Sequence, residues 1–328
     1  MDQVMFKIED VIKKIENGKI LILAGDEELL RKLPKGKWIA GTIPYFIGKQ
    51  GGVMTKELIH IFELPDYVID IAIKKYNESI LKNVYVDEPD KSFSFIIIPA
   101  LSPTHSSFAT NAINYKEFAK KPLIGWISGV DFTEIGTHTP KIINGLNLDV
   151  SEDGAIVMHV QLPETKYAEI NIVNIFEQGT GDSITFDEDG FRVKEAYING
   201  VKQNFADYVK RNNINIKLPL VANYSGAMIN TSFKQIDFKP MVVDFYAPIF
   251  KGVEYKLAKN LDDYVTSFTS QMPKEGESIV FSCNCILNYF YSKLEGKKTG
   301  NITGPITFGE IAYQLLNQTM VYLTIKDF

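Results

Sequence analysis

The chain has 328 residues, a formal net charge of −5 at pH 7 and a sequence pI near 5.6. Hydrophobic residues make up 45% and charged residues 23%, so the chain has enough apolar surface to order a core and is not a disordered protein. The basic residues are scattered, which argues against a nucleic-acid or anionic-membrane surface, and short runs such as Lys13-Lys14 are expected to be solvated helix ends.

The distribution of charged, apolar and cysteine residues predicts a cytoplasmic protein. The first 14 residues mix charges with apolar positions, whereas a secretion signal has a continuous apolar centre. Apolar runs such as 95–101 are far shorter than the roughly 20 residues that span a bilayer, so no membrane partner is expected. Cys283 and Cys285 are separated by one residue, and because a disulfide across that spacing would be strained, we expect reduced thiols.

In the first half of the chain, helical and extended patterns alternate. The spacing of apolar residues predicts a helix over 5–15, a strand over 19–25, a short helix capped by Asp26 and a strand over 37–44. This order is typical of a crossover unit that opens a mixed or parallel sheet. The pattern continues with predicted strands over 58–64, 92–99 and 121–130 and predicted helices over 67–81 and 111–119.

From residue 154 onward, short extended segments dominate, and their spacing favours antiparallel pairing. The predicted strands cover 155–161, 169–176, 183–186, 191–198, 217–222, 227–233, 241–246, 253–257, 278–282 and 320–325, with helices over 201–211 and 261–271. The turn-forming cluster 187–190 divides the chain. We therefore predict an α+β fold, with mixed β-sheets and flanking helices in two halves, 1–190 and 191–328.

The two thiols follow the predicted strand 278–282, in a run from Ser278 to Cys285 that indicates a buried strand ending in thiols. Residues two apart on a strand point to the same side, so Cys283 and Cys285 either line one wall of a pocket or are small buried apolar residues. No second cysteine pair is present and the four histidines stand singly, so no metal site is predicted. No local motif ties a base to Cys283, so no catalytic residue is predicted; a hydrolase or transferase that uses Cys283 as its nucleophile stays open as the alternative.

A second block runs from Gly304 to Ile311 and continues through Leu316-Asn317-Gln318-Thr319. Its glycines permit backbone geometry that a side chain would forbid. A buried, unpaired carboxylate would cost several kcal/mol, so Glu310 is expected to meet backbone donors, a cation or solvent. Two interpretations remain: Glu310 fixes the turn, or it binds a donor group of a ligand while Asn317 and Thr319 add neutral hydrogen bonds.

These two blocks resemble the end of the FIST C-terminal domain. The residues that carry the resemblance are Phe281-Ser282-Cys283, Gly304-Pro305, Phe308-Gly309-Glu310-Ile311, Leu316-Asn317 and Thr319. The middle and the start of that domain are similar to Ala247-Pro248-Ile249-Phe250 with Gly252-Val253, and to Tyr197-Ile198-Asn199-Gly200 with Tyr208. The opening of the FIST N-terminal domain resembles Leu29 to Leu33 followed by Trp38-Ile39-Ala40-Gly41-Thr42.

FIST proteins are regarded as intracellular sensory modules that bind small ligands such as amino acids, often beside a signalling output domain. The resemblance implies a FIST N-like domain over 1–190 and a FIST C-like domain over 191–328. Unlike many family members, the chain is expected to have no output domain of its own, and no cofactor or nucleic-acid partner is expected. A separate signalling protein is then the expected partner. The implied small-molecule pocket lies between the halves and is lined by Thr42, Cys283, Cys285, Glu310, Asn317 and Thr319.

The sequence departs from the family pattern directly after Cys283. FIST domains commonly continue there with small residues and an arginine, whereas this chain has Asn284-Cys285-Ile286-Leu287-Asn288. Without the arginine, a preference for an anionic ligand is not implied. A protein-interaction module that uses the same cleft for a peptide end is a third possibility.

Overall fold

The structure is a computed structural model that describes residues 4–224, 226–261, 263–271, 279–300 and 302–328. Strands hold 43% of the residues and helices 16%, so the fold is dominated by mixed sheets with a few helices, in agreement with the α+β prediction. The chain forms two compact units, which contain residues 1–172, 272–315 and 320–328, and residues 173–271 and 316–319, respectively.

The helices and strands of the described residues have the following bounds. The α-helices are Ile8–Glu16 (α1), Glu27–Leu30 (α2), Pro103–Asn111 (α3), Phe205–Arg211 (α4), Tyr264–Ser270 (α5) and Ile286–Tyr291 (α6), and short 3₁₀ helices cover Leu81–Asn83, Ala112–Asn114 and Phe132–Glu134. The strands up to residue 161 are Met5–Phe6 (β1), Leu21–Gly25 (β2), Trp38–Thr42 (β3), Tyr45–Gly48 (β4), Gly51–Met54 (β5), Ile59–Glu63 (β6), Asp70–Tyr76 (β7), Ser92–Pro99 (β8), Leu123–Ser128 (β9), Ile142–Asn144 (β10), Asp149–Ser151 (β11) and Ala155–Gln161 (β12). The later strands are Lys166–Val173 (β13), Ile184–Thr185 (β14), Gly190–Val193 (β15), Glu195–Ile198 (β16), Val201–Asn204 (β17), Leu220–Tyr224 (β18), Ala227–Thr231 (β19), Phe233–Asp237 (β20), Val242–Ile249 (β21), Tyr255–Leu257 (β22), Ile279–Cys285 (β23), Gly304–Thr307 (β24), Glu310–Ala312 (β25), Gln314–Leu316 (β26) and Met320–Asp327 (β27).

The first unit is built on three six-stranded sheets. Their strand orders are β1-β6-β2-β3-β10-β11, β26-β25-β9-β8-β12-β7 and β13-β27-β23-β24-β4-β5. The parallel pairing of β2 with β3 confirms the predicted crossover unit. Strand β8 is buried along its whole length, Ser92 and Ser94 included, and it lies between two neighbouring strands, β9 and β12.

Helix α1 covers one face of the first sheet. Its buried residues Val11 and Ile15 belong to the same core cluster as Leu21, Leu23 and Trp38. Acidic residues in the first turn and lysines in the last turn complement the helix dipole, so the amphipathic pattern and the charges favour the same helix.

The second unit contains a six-stranded sheet, β17-β16-β14-β22-β18-β19, and a three-stranded sheet, β15-β21-β20. All the described pairs in both sheets are antiparallel, which confirms the pairing predicted for these segments. The rings of Phe205, Phe233 and Phe245 pack together in the core of this unit, with ring centroids 5.2 to 6.3 Å apart.

Two predicted helices are wrong. Residues 70–76 form the edge strand β7, whose partly buried and exposed positions alternate, because pairing with β12 outweighs the helix-like spacing of the local sequence. The helix expected over 111–119 lies instead at α3, where Pro103 occupies the first turn and the Ser102 side chain accepts a hydrogen bond from the backbone N–H of His105.

Several element boundaries also differ from the prediction. Helix α4 begins only at Phe205, after β17, because the Asn204 side chain caps it by accepting from the N–H of Asp207. Strand β23 extends three residues past the predicted end at 282, to Cys285. Asp26 caps α2 as predicted. Parts of the predictions over 261–271 and 278–282 fall on residues 262 and 278, which lie outside the described residues.

The compact units divide the chain differently from the predicted halves, which met at residue 190. The physical reason is that the C-terminal strands complete sheets of the first unit: β24 pairs with β4, and β25 pairs with β9.

Among the described residues, none of the helices has the length and apolar content that crossing a bilayer requires.

Candidate functional site

Strand β23 carries the two thiols into the interior of the first unit. Cys283 and Cys285 are each 1% exposed, and Cys283 Sγ lies 3.5 Å from the carbonyl oxygen of Gly125, to which it donates. Burial, together with the nearby Glu310 carboxyl, raises the pKa of the Cys283 thiol well above its ordinary value. A nucleophilic cysteine needs the opposite shift, so this geometry does not favour the cysteine-dependent enzyme.

Glu310 lies in the same interior. It is fully buried on β25, opposite Trp126 of β9, and its Oε1 accepts from the Thr307 hydroxyl at 3.3 Å. Strand β24, which carries Thr307, needs a glycine as its first residue, because a Cβ on Gly304 would stand 2.1 Å from the carbonyl oxygen of Ser282. The predicted role of the glycines in shaping the backbone is therefore confirmed at Gly304.

The other predicted site residue of the first unit, Thr42, ends β3 and is also buried. Its hydroxyl accepts from the backbone N–H of Lys141 at 2.9 Å, and its carbonyl oxygen accepts from the N–H of Gly129 at 2.7 Å. Thr42 therefore ties together two connecting segments of the first unit.

Asn317 and Thr319 belong to the second unit, and both are nearly inaccessible to solvent. The side-chain oxygen of Asn317 accepts from the backbone N–H of Ser232 at 3.0 Å and from its hydroxyl, while the Asn317 carbonyl accepts from Asn230 Nδ2 at 3.1 Å. The structure therefore brings Cys283, Cys285 and Glu310 together in one unit and holds Asn317 and Thr319 in the other.

A cavity of about 680 Å³ opens on the first unit, beside β6 and the start of β23. Its volume is in the range of small-molecule sites. The residues that line it include the charged Lys14 and Glu63, the polar Ser282 and Thr303, and the aromatic Phe62. By contrast, the space beside Cys283 measures about 10 Å³, which is room for one water molecule.

The cavity wall combines a pair of opposite charges with apolar surface. Lys14 Nζ lies 2.6 Å from Glu63 Oε2, and each side chain is 30% exposed. Burial alone would raise the pKa of Glu63, but hydrogen bonds from Lys14 and Lys19 hold it below its ordinary value. The carboxylate is therefore ionised at neutral pH. Beside this pair, the ring of Phe62 packs on Phe281, with centroids 4.6 Å apart.

Strand β23 links this cavity to the motif that was singled out in the sequence. Ser282 lines the cavity and donates its hydroxyl to the carbonyl of Thr303 at 2.7 Å.

Lys14 and Glu63 were not predicted as site residues. Lys13 is 70% exposed, as expected for a solvated helix end, but Lys14, one residue on, faces β6. The helical spacing that buries Val11 and Ile15 was the available signal for this difference.

Among the residues that the structure describes, no three histidine, cysteine or acidic side chains are grouped in a way that could hold a metal ion. His60 is fully buried between aromatic rings, 6.1 Å from the Phe46 centroid and 4.4 Å from that of Phe62. Burial lowers its pKa to about 3, so it is neutral at physiological pH.

The fold and the cavity define a sheet-dominated protein of two compact units, one of which has a polar cavity of small-molecule size. A family model matches residues 6–326, and the chain therefore belongs to DUF6976, a family of unknown function. No curated protein matches the sequence.

Proposed function

We propose that this chain is a cytoplasmic sensory protein that binds a small zwitterionic metabolite, such as an amino acid, in the cavity of the first unit. The observation that carries the proposal is the Lys14–Glu63 pair, set beside the apolar surface of Phe62 in a cavity of about 680 Å³. Cavities of this volume are typical of small-ligand sites.

The charge pair favours a ligand with both signs of charge. An amino acid presents a carboxylate to the Lys14 ammonium and an ammonium to the Glu63 carboxylate, so both protein charges exchange one partner for another. A ligand with a single charge pairs with only one of the two, while Glu63 keeps Lys19 as a second partner, so a zwitterion gains one more charge contact than its singly charged analogues. Ser282 and Thr303 supply neutral polar atoms to the same wall.

The resemblance to FIST domains supports the sensory part of the proposal, since the Phe281-Ser282-Cys283 motif borders this cavity through Ser282. In this hypothesis the ligand contacts Ser282, while Cys283 and Glu310 support the wall from the interior. A separate signalling protein receives the ligand-dependent change, and FIST membership is part of the same proposal.

Thermal denaturation of the whole chain with a panel of amino acids and their singly charged analogues tests the proposal. A ligand at one hundred times its Kd stabilises the folded protein by about 2.7 kcal/mol, which raises Tm measurably. We expect a zwitterion to raise Tm, and its decarboxylated and deaminated analogues to raise it less. A panel in which no zwitterion raises Tm contradicts the proposal.

Substitution of Lys14 by Met removes the positive member of the pair and retains most of the apolar stem. We expect Lys14→Met to weaken zwitterion binding at least tenfold in calorimetric titration. Lys13→Met is the matched control, because Lys13 is the neighbouring lysine of the same helix and is 70% exposed. Equal loss of binding in both variants would contradict a specific role for Lys14.

A further inference from the structure

A row of hydrogen-bonded polar side chains lies in the interior of the first unit, away from the cavity. Ser94 and His159 face each other across β8 and β12, and Ser94 Oγ lies 2.7 Å from both His159 Nδ1 and Glu88 Oε2. His159 Nε2 lies 2.9 Å from the Tyr76 hydroxyl, which lies 3.0 Å from Asp87 Oδ2. Of these five residues, which we call the Glu88 row, all except Asp87 are at most 3% exposed.

The four hydrogen bonds along this row need four protons, one more than its side chains carry when Glu88 and Asp87 are ionised and His159 is neutral. Five groups in line form four contacts, and each contact needs one proton to be a hydrogen bond. Ionised Glu88 and Asp87 supply none, while Ser94, neutral His159 and Tyr76 supply one each, three in total. Every contact is satisfied only when the row binds a fourth proton.

The carboxyl of Glu88 is where that proton sits. Burial raises the pKa of Glu88 to about 7, against the lowering effect of the Ser94 and Ser92 hydroxyls and of Lys121. Burial lowers the pKa of His159 to about 4, so an imidazolium is disfavoured. A protonated Glu88 donates to Ser94, Ser94 to His159 Nδ1, His159 Nε2–H to Tyr76, and Tyr76 to Asp87. The other titratable groups that act on the row from neighbouring elements are Lys74, Tyr85, Lys121 and Tyr313.

We propose that the Glu88 row is a proton-binding switch. It takes up one proton from solution, and the loss of that proton loosens the edge strand β7. Tyr76, the last residue of β7, is the link between this strand and the row. When Glu88 ionises, Ser94 turns its proton to the carboxylate and His159 donates to Ser94. Tyr76 then has one proton for two acceptors, His159 and Asp87, and one contact near 3 Å is left without a hydrogen bond. Given the Glu88 pKa, the change falls close to neutral pH.

Amide hydrogen exchange of β7 in the whole chain, compared with a Glu88→Gln variant at each pH, tests the proposal. The glutamine side chain donates an N–H to Ser94 at every pH, so the variant imitates the protonated state. We expect β7 amides in the native chain to exchange about tenfold or more faster than in Glu88→Gln at about pH 8.5, and equally fast at about pH 5.5. Glu164→Gln is the control, because that side chain is 88% exposed, and it should follow the native chain.

Infrared difference spectra provide the second readout. The native chain should show the C=O stretch of a carboxylic acid that disappears between about pH 5.5 and about pH 8.5, and Glu88→Gln should lack this change. If Glu88→Gln does not fold, Ser94→Ala replaces it, since it retains the carboxyl and disconnects it from His159. In that variant, β7 exchange should no longer follow the carboxyl titration. Equal pH dependence of β7 exchange in native and variant chains overturns the proposal.

Discussion

At the scale of single residues, burial decides chemistry that residue type alone leaves open. Cys283 and Glu310 were candidates for ligand contact, yet both are buried against protein groups, and the thiol pKa is raised. Lys14 and Glu63 are ordinary charged residues in the sequence, yet they stand at a cavity wall. The sequence identified chemically notable side chains, whereas their accessibility depends on neighbours that are distant along the chain.

The thiols provide a direct test at this scale. Because Cys283 and Cys285 are each 1% exposed, we expect both to react with a disulfide reagent at pH 8 at least a hundredfold more slowly than in denaturant. Time-resolved thiol titration measures this, and Cys283→Ser and Cys285→Ser assign each phase. Fast native reaction at Cys283 would restore the cysteine-dependent enzyme as a hypothesis.

The pKa values of Glu88 and His159 predict opposite effects of pH on global stability. The Glu88 pKa in the folded chain, about 7, exceeds its ordinary 4.5, so its contribution is full below about pH 4.5 and is lost as pH rises through 7. The His159 pKa, about 4, is below its ordinary 6.5, so its contribution is full above about pH 6.5 and is lost as pH falls through 4.

Replacing Glu88 by Gln removes only the first of these contributions. Denaturant unfolding at several pH values should therefore show Glu88→Gln gaining stability over the native chain as pH rises, by roughly 3 kcal/mol at about pH 8. Near pH 4.5 the two should be similarly stable. A variant that is less stable than the native chain by the same amount at every pH would show that no titration of Glu88 is involved.

At the scale of elements, local signals predicted the longest buried strands and failed at the edge strand β7. Strands β2, β8 and β12 were predicted correctly because each is short, almost wholly buried and rich in apolar residues. Strand β7 was predicted as a helix because its character comes from its partner β12. The Ser102-Pro103 start of α3 carried a capping signal in the sequence, yet the helix was predicted later in the chain, over 111–119.

The approach of β24 to β23 gives a prediction at this scale. A Cβ at Gly304 would stand 2.1 Å from a backbone oxygen of β23, which only a shift of one strand can relieve. We expect Gly304→Ala to lower the free energy of unfolding by about 1 to 3 kcal/mol in urea titration. Gly181→Ala is the matched control, since nothing lies within 4 Å of its added Cβ, and it should change stability by less than about 0.5 kcal/mol.

At the scale of the whole molecule, the first unit is assembled from segments far apart in the chain. Its third sheet places β27, from the C-terminal end, between β13 and β23. A strand in that position pairs on both sides, so its removal leaves two unpaired edges and exposes the core. The first unit therefore depends on residues that follow the second unit in the chain.

Truncation tests this dependence. A chain that ends at residue 319 lacks β27, and we expect it to be recovered unfolded or aggregated, as judged by circular dichroism and gel filtration. Removing only Phe328, which is 82% exposed, should leave folding intact. Cooperative unfolding of the shorter chain at the native Tm would contradict the central role of β27.

The sequence by itself determined which of the long apolar runs are buried strands, where α2 is capped and that glycines shape the backbone of the 304–311 block, because these properties depend on residue type and on short spacing. Only the tertiary structure decided that Lys14 pairs with Glu63 and that the C-terminal strands complete sheets of the first unit. It also decided that Ser94 and His159 lie in one hydrogen-bonded row with Glu88. These contacts join residues whose proximity is set by strand pairing, and pairing between distant strands has no signature in the local sequence of either partner.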